Sequence, residues 1–179
     1  MKILDKEFEI FIPKEKIQQR VQELAYDLSY KLEGKDPLFV AILNGAFMFA
    51  SDLFKEISIP ARITFIKTAS YTGTETTGKV QKLIGLKENI NGQHIVLVDD
   101  IFDTGLTMQA VCEEIGKQNP ASISVLTLLD KVSKHKTDLK IDFKGFEIAD
   151  KFVLGYGLDY NGYGRNLKDI YALADWIKI

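Results

Sequence analysis

Three carboxylates stand close together in the stretch VLVDDIFDTGLTM, residues 96–108, where an apolar run meets a Thr- and Gly-rich turn. The apolar run predicts a buried strand, and yet Asp99, Asp100 and Asp103 follow it at once. Neighbouring carboxylates repel one another and resist burial unless a cation or hydrogen-bond donors compensate them. This stretch is therefore the first candidate for a binding or catalytic site.

The turn after the acidic pair has the composition of an anion-binding loop. Residues 103–107 lie between a predicted strand and a predicted helix, so several backbone N–H groups and two hydroxyls would point at one ligand. Gly105 allows close approach, whereas Asp103 must turn away from an anion that it would repel. Asp99 and Asp100 suit sugar hydroxyls or Mg²⁺, a cation that prefers oxygen ligands. A metal-bound sugar phosphate fits the whole stretch, while an N-capped helix after a buried strand explains only one polar residue.

A second stretch partly matches a nucleotide-binding motif. GTETTGKV, residues 73–80, nearly matches the pattern G-x-x-x-x-G-K-[ST] of the P-loop ATPases. However, Val80 occupies the position that should supply a hydroxyl to Mg²⁺, and the following residues carry turn signals instead of helical spacing. The pattern therefore disfavours an ATPase.

The elements that must position these residues follow from the hydrophobic pattern. Helical spacing predicts helices over residues 13–33, from about residue 47, and over about 104–117. Apolar runs predict strands over 38–43, 62–69, from 96 and over 122–129, with shorter extended segments in 141–148 and 151–157. Alternating strands and helices predict an α/β fold with a mainly parallel central sheet flanked by helices, whose ligands bind at the carboxyl ends of the strands. The polar residues 70–79 are predicted to form a mobile loop.

Composition narrows the class of protein. A chain of 179 residues with 46% hydrophobic residues predicts one domain, residues 1–179, and its net charge of -2 argues against a broad nucleic-acid surface. The basic stretch KVSKHK (131–136) is interpreted as a solvated turn. Cys112 is predicted to be a packed core thiol. No apolar run approaches the ~20 residues of a membrane span, and the N-terminus lacks the pattern of an export signal, so we expect a cytoplasmic protein without membrane or nucleic-acid partners.

Four stretches, in this order, resemble the type I phosphoribosyltransferases, and specifically their hypoxanthine-guanine branch. They are LNGAF (43–47), ASYTGTETTGK (69–79), VLVDDIFDTGLTM (96–108), and LLDK (128–131) with FVLGYGLDYNGYGR (152–165). The resemblance covers about residues 38–165 and implies a small hood built from the N- and C-terminal segments. It also implies a purine-salvage activity, in which hypoxanthine or guanine reacts with 5-phosphoribosyl diphosphate to give IMP or GMP and pyrophosphate.

The resemblance implies a set of residues for the sugar phosphate and its metal. Those that would bind phosphoribosyl diphosphate are Asn44, Gly45, Ser70, Tyr71, Asp99, Asp100, Asp103, Thr104, Gly105, Leu106, Thr107 and Arg165. Mg²⁺ would be the cofactor: Asp99 and Asp100 would face its waters, and Asp159 would lie near a second Mg²⁺. Residues 70–79 would close over the site to exclude water. Asn44 departs from the pattern, because many relatives carry a Lys there, so one cationic contact to pyrophosphate is absent.

The same resemblance implies how the purine would be held. Lys131 would donate to the 6-oxo group, Phe152 would stack on the ring, Val153 would offer main-chain groups, and Asp159 would lie near the 2-position. Asp103 would act as the general base that takes the proton from N7, although it could instead only position the purine.

Two alternatives stay open. One is a transferase that prefers xanthine or guanine, and the other is a regulator that binds phosphoribosyl diphosphate without turnover, although the basic surface that such a regulator needs is not evident. The resemblance also implies a homo-oligomer, a dimer or tetramer. His94 and His135 are expected to have no functional role.

Overall fold

The computed structural model describes residues 1–69 and 82–174. Three α-helices lie within these ranges: α1 (Lys14–Leu32), α2 (Phe47–Glu56) and α3 (Leu106–Gly116). A short 3-10 helix covers Val132–Lys134. The same ranges contain ten strands: β1 (Lys2–Ile3), β2 (Lys6–Ile12), β3 (Leu38–Leu43), β4 (Arg62–Ala69), β5 (Lys82–Ile84), β6 (His94–Phe102), β7 (Ser122–Asp130), β8 (Phe143–Glu147), β9 (Val153–Leu154) and β10 (Ile170–Leu173).

The larger sheet confirms the predicted α/β fold. Its strand order is β5-β4-β3-β6-β7-β8, and every neighbouring pair is parallel except the antiparallel pair β4 and β5. The central strands are continuous apolar runs because helices or other segments cover both of their faces. Residues 73–80 lie outside the described ranges, but Lys82–Ile84 form a strand where a P-loop would open a helix.

The helices follow the predicted apolar spacing and cover the sheet on both faces. In α1 one buried stripe, which includes Ile17, Leu24 and Leu28, packs with α2 over one face. Met108, Val111 and Ile115 of α3 pack over the other face. Helix α3 begins at Leu106, two residues later than predicted, because Gly105 has a left-handed backbone with φ of +79° that no helix can include.

A second, antiparallel sheet forms the hood that the resemblance implies. Its strand order is β1-β2-β10-β9, so it joins residues from both ends of the chain. The sequence pattern did not predict β1 and β2, whose apolar alternation is short. Phe8 of β2 is buried under this sheet and contacts the ring of Phe152.

Cys112 is partly buried and packs against the core beside α3's buried residues, as predicted. Burial raises the pKa of its thiol to about 11, which disfavours the reactive thiolate.

Among the residues that the structure describes, no helix has both the length and the apolar character that crossing a membrane requires.

The packing of α1 gives a stability prediction. Leu28 is fully buried, so Leu28→Ala should lower the free energy of unfolding by about 2–5 kcal/mol through the cavity that it leaves. Its exposed neighbour supplies a control, because Asp27→Ala should change the same quantity by less than about 0.5 kcal/mol. Urea denaturation measures both, and equal losses would contradict this packing.

Candidate active site

Three turns meet at the carboxyl edge of the parallel sheet. They follow β3, β6 and β7, which lie side by side in the order β3-β6-β7 and run in the same direction. The first turn contains a cis peptide bond between Leu43 and Asn44. Its Gly45 lies so close to the carboxylate of Asp100 that a side chain at position 45 would overlap it. Glycine is therefore required where the first turn meets β6.

The acidic pair lies inside β6, at the point where that strand enters the crevice. Burial raises the pKa of Asp99, and the charge of Asp100 raises it further. Burial raises the pKa of Asp100 as well, although the main-chain donors and the charge of Arg165 oppose part of that rise. The N–H of Asp100 donates to Asp99 Oδ1 at 3.1 Å. The pair is a crowded negative site that would favour a bound cation or hydroxyl donors.

Residues 103–107, here called the anion loop, connect β6 to α3. The N–H of Leu106 donates weakly to Thr104 Oγ1 at 3.4 Å, and the first turn of α3 contains no acidic residue. A side chain at Gly105 would overlap the Phe102 ring and the methyl group of Thr137. The unpaired N–H groups of a helix start attract anions, so the anion loop has the geometry of a phosphate site.

Two adjoining clefts open at this edge of the sheet. The first, of about 260 Å³, is lined by the acidic pair and by the anion loop residues Asp103, Thr104, Gly105 and Thr107. The second, of about 340 Å³, is lined by Gly45, Asp100, Ile101, Asp103, Lys131, Phe152, Val153, Leu158, Asp159 and Arg165. Both clefts share Asp100, Ile101 and Asp103, so one ligand could extend from one cleft into the other.

Asp103 and Lys131 face each other where the clefts join. Lys131 is only 7% exposed, and its Nζ lies 3.5 Å from Asp103 Oδ2 and 3.4 Å from Asp150 Oδ1. The other oxygen, Asp103 Oδ1, is buried and has no hydrogen-bond partner among the described residues. Buried polar atoms are nearly always paired, so this oxygen is available to accept a proton or a hydrogen bond from a ligand.

The hood supplies an aromatic wall to the second cleft. Phe152 is 45% exposed, and edge-on contact with Tyr160, with ring centroids 5.6 Å apart, fixes its orientation. Val153 is buried beside it at the start of β9. A ring held at its edge and open on its face can stack on a flat ligand.

Arg165 and Asp159 form a closed ion pair at the far end of this cleft. Arg165 Nη2 lies 2.6 Å from Asp159 Oδ1, and Nη1 donates to the carbonyl of Gly157 at 2.6 Å. The N–H of Gly162 donates to Asp159 Oδ2 at 2.7 Å, so both carboxylate oxygens are engaged. Asn161 and Gly162, both with positive φ, make the tight turn that brings this donor into place.

The described residues bring no third carboxylate to the acidic pair. Among residues 1–69 and 82–174, no three His, Cys, Asp or Glu side chains form a group that could hold a metal ion. Asp159 stands apart from Asp99 and Asp100, and Arg165 and the Gly162 amide engage its carboxylate. Its role beside a second Mg²⁺ stays a prediction.

The remaining predicted residues divide into two groups. Most of them lie at or beside the two clefts: Asn44, Gly45, Asp99, Asp100, the anion loop, Lys131, Phe152, Val153 and Arg165. Ser70 and Tyr71 lie outside the described residues. Sequence reasoning missed Asp150, which pairs with both Lys131 and Lys134, because no local pattern marks an exposed Asp that lies far along the chain from its partner.

The raised pKa of Asp99 gives a prediction about stability. A carboxyl group whose pKa is higher in the folded state than in the unfolded state destabilises the fold once the pH exceeds its unfolded pKa of ~4. This cost grows as the pH rises toward the folded-state pKa. Asp99→Asn removes this effect and should stabilise the metal-free protein by about 1–2 kcal/mol at neutral pH, with the gain disappearing toward about pH 4.

Urea denaturation with a chelator present measures this gain. The exposed Asp138 supplies the control, because Asp138→Asn should change stability little at any pH. A destabilised Asp99→Asn protein at neutral pH would contradict the electrostatic reading of the pair.

Comparison with known proteins agrees with this geometry. Residues 12–161 match the family described as phosphoribosyl transferase domain. A hypoxanthine phosphoribosyltransferase of Salmonella typhimurium is 40% identical over 162 residues, which are 89% of this chain and 91% of that protein. A hypoxanthine-guanine-xanthine phosphoribosyltransferase of Tritrichomonas foetus is 39% identical over 160 residues, which are 89% of this chain and 87% of that protein.

The solved structures give the same result for the fold. The crystal structure of a hypoxanthine-guanine phosphoribosyltransferase from Bacillus anthracis has a TM-score of 0.85 and 36% sequence identity to this chain. The match covers 95% of this chain and 100% of that one. The chain therefore belongs to the phosphoribosyltransferase family, in its hypoxanthine-guanine branch.

Proposed function

We propose that this protein transfers a phosphoribosyl group from 5-phosphoribosyl diphosphate to hypoxanthine and guanine, with release of pyrophosphate. One observation carries the proposal: Asp103, with a buried and unpartnered oxygen, lies where an anion-binding cleft joins a cleft with a lysine and an aromatic ring. A reaction between a sugar phosphate and a flat base needs these two clefts and a proton acceptor between them.

The sugar phosphate would occupy the first cleft. The 5-phosphate would accept hydrogen bonds from N–H groups of the anion loop, and the ribose hydroxyls would donate to Asp99 and Asp100. The pyrophosphate would lie beside the turn of Asn44 and Gly45, whose backbone N–H groups can bind anions without a lysine at position 44. Arg165 is the cationic side chain of the second cleft at its pyrophosphate end.

The purine would occupy the second cleft. Phe152 would stack on its ring, and Val153 would present main-chain groups to its edge. Lys131 would donate to the 6-oxo oxygen, and Asp103 and Asp150 hold its ammonium group in the cleft. Adenine carries an NH₂ group at that position, so two donors would face each other and adenine would be rejected.

The chemical step then assigns a role to Asp103. Purine N9 bonds to the first carbon of the ribose as the bond from that carbon to pyrophosphate breaks, and pyrophosphate leaves with the electron pair. The N7 proton passes to Asp103 Oδ1, the oxygen that the described residues leave without a partner. The Lys131 ammonium remains on Oδ2 and holds the carboxylate in orientation.

Mg²⁺ fits the acidic pair. Asp99 and Asp100 offer hard oxygen donors beside the first cleft, and a bound cation would offset the burial that raises the pKa of both carboxyl groups. When bound, Mg²⁺ would neutralise charge on the departing pyrophosphate. Asp159 would lie between the purine 2-position and Arg165, whose guanidinium it pairs with.

A panel of purines tests this proposal. Purified protein with Mg²⁺ and phosphoribosyl diphosphate should convert hypoxanthine and guanine in an ultraviolet assay and should leave adenine unchanged. Faster conversion of xanthine than of hypoxanthine would contradict the proposed preference, which depends on how the purine 2-position meets Val153 and Asp159. Tight binding of phosphoribosyl diphosphate without turnover of any purine would indicate a regulator instead.

The general-base role predicts the effect of one isosteric change. Asp103→Asn cannot accept the N7 proton, so kcat should fall by about a hundredfold or more, while the KM for phosphoribosyl diphosphate changes less. Asp150→Asn is the matched control, because Asp150 contacts the same Lys131 ammonium and should tolerate the change with most turnover kept. Normal kcat for Asp103→Asn would mean that this carboxylate only positions the purine.

The substrate filter predicts the effect of a second change. Lys131→Gln should lower kcat/KM for hypoxanthine by about 10- to 100-fold. The ratio of kcat/KM for hypoxanthine to kcat/KM for adenine should fall as a result. Lys134→Gln is the control, since Lys134 pairs with the same Asp150 but does not line the cleft. Steady-state kinetics with both purines measures the gap, and equal effects of the two variants would refute the filter.

A further inference from the structure

Residues 134–137, here called the brace, lie directly behind the anion loop. The main-chain N–H of Lys136 donates to the carbonyl of Thr104 at 2.9 Å. Thr137 places its methyl group where a side chain at Gly105 would have to lie. The brace therefore supports the two loop residues that must keep their position if the backbone is to approach a phosphate closely.

His135 anchors the brace to the core. Its Nε2 lies 2.6 Å from Oδ1 of Asp130, a carboxylate that is only 1% exposed at the end of β7. Its ring meets the ring of Phe102 edge-on, with centroids 4.8 Å apart. The outer atoms of that Phe102 ring lie under Gly105. A short hydrogen bond to a buried carboxylate and an edge-on ring contact fix both the place and the tilt of the imidazole.

Asp130 is itself held from a second side. Lys144 of β8 places its Nζ 3.3 Å from Asp130 Oδ2, and Glu147 of the same strand pairs with Lys144. Asp130 is also the register partner of Phe102 across β6 and β7. Movement of His135 would therefore be transmitted through Phe102 to the anion loop, while Asp130 stays in place.

The chain provides a second histidine with the same kind of contact at the opposite end of the strands. His94 places its Nδ1 2.7 Å from Ser122 Oγ, where β6 and β7 begin. It is partly buried, as His135 is, but it lines neither cleft. A variant at His94 therefore shows what the loss of a hydrogen-bonded histidine does when the anion loop keeps its support.

We propose that His135 is a positioning residue for the sugar-phosphate end of the site. This inference rests on the proposed function, because it takes the anion loop to be the 5-phosphate site. Without the imidazole, the Phe102 ring and the brace lose a common anchor, and the N–H groups of the anion loop no longer converge. Binding of phosphoribosyl diphosphate weakens, whereas the purine contacts of Phe152 and Val153, which belong to the hood, are kept.

The test compares His135→Ala with His94→Ala in the full-length protein. For His135→Ala, the Kd of phosphoribosyl diphosphate with Mg²⁺, measured by calorimetry without purine, should rise about tenfold, as expected when a charge-assisted hydrogen bond is lost. The KM for phosphoribosyl diphosphate should rise in parallel, and the KM for hypoxanthine should stay within about twofold. His94→Ala should lower the melting temperature and leave both KM values unchanged.

Two further variants keep the test decisive if His135→Ala folds poorly. His135→Gln retains an N–H donor toward Asp130 and should recover part of the affinity. Thr137→Ser removes only the methyl group behind Gly105, keeps the hydroxyl that accepts from the Leu139 N–H, and should raise the same Kd in the same direction.

Three results would overturn the inference. They are an unchanged Kd in His135→Ala despite a lower melting temperature, an equal rise in His94→Ala, and an equal rise in the KM of both substrates. Calorimetry measures binding without turnover, so it tests the role of His135 separately from the proposed function. A wild-type protein that binds phosphoribosyl diphosphate but converts no purine would refute only the proposed function.

Discussion

The parallel pairing of β6 with β3 and β7 is the constraint on which the site depends. Strand β6 pairs with β3 only as far as Val98, whereas it pairs with β7 up to Phe102. Asp99 and Asp100 therefore lie where β3 has turned away, and the Asn44–Gly45 turn fills that space against Asp100. The same offset opens the crevice in which sheets of this class bind ligands.

The charges at this edge are incompletely balanced. Lys131 and Arg165, the cations of the second cleft, are already shared with carboxylates. Within the described part of the chain, no lysine, arginine or histidine forms a salt bridge with Asp99 or Asp100. Repulsion of this kind costs stability, as is common at sites that bind ligands. The hood contributes the apolar wall of the second cleft, which is lined by Phe152 and Val153.

Much of this arrangement was predictable because its determinants are local. The strands over 38–43 and 62–69 have the predicted bounds, since buried strands between helices are continuous apolar runs. The anion loop was identified from its composition and its place after a strand. The start of α3 differed because only the backbone reveals that Gly105 is left-handed.

What could not be predicted depends on distant partners. The strand β2 pairs with β10 near the other end of the chain. The short alternation of polar and apolar residues in KEFEIFI does not predict that pairing. Asp150 reaches Lys131, and His135 reaches Asp130 and Phe102, only after β7, β8 and the intervening turn are in place. The contacts of Asp159 with Arg165 and with the Gly162 amide depend on a turn that the sequence pattern did not specify.

A crystal structure of the protein with phosphoribosyl diphosphate, Mg²⁺ and an unreactive purine analogue would test the central claim most directly. The account predicts that the 5-phosphate lies on the N–H groups of residues 104–107, with the purine between Phe152 and Lys131 and its N7 next to Asp103 Oδ1. A 5-phosphate bound away from the anion loop, or a purine whose N7 faces away from Asp103, would contradict it.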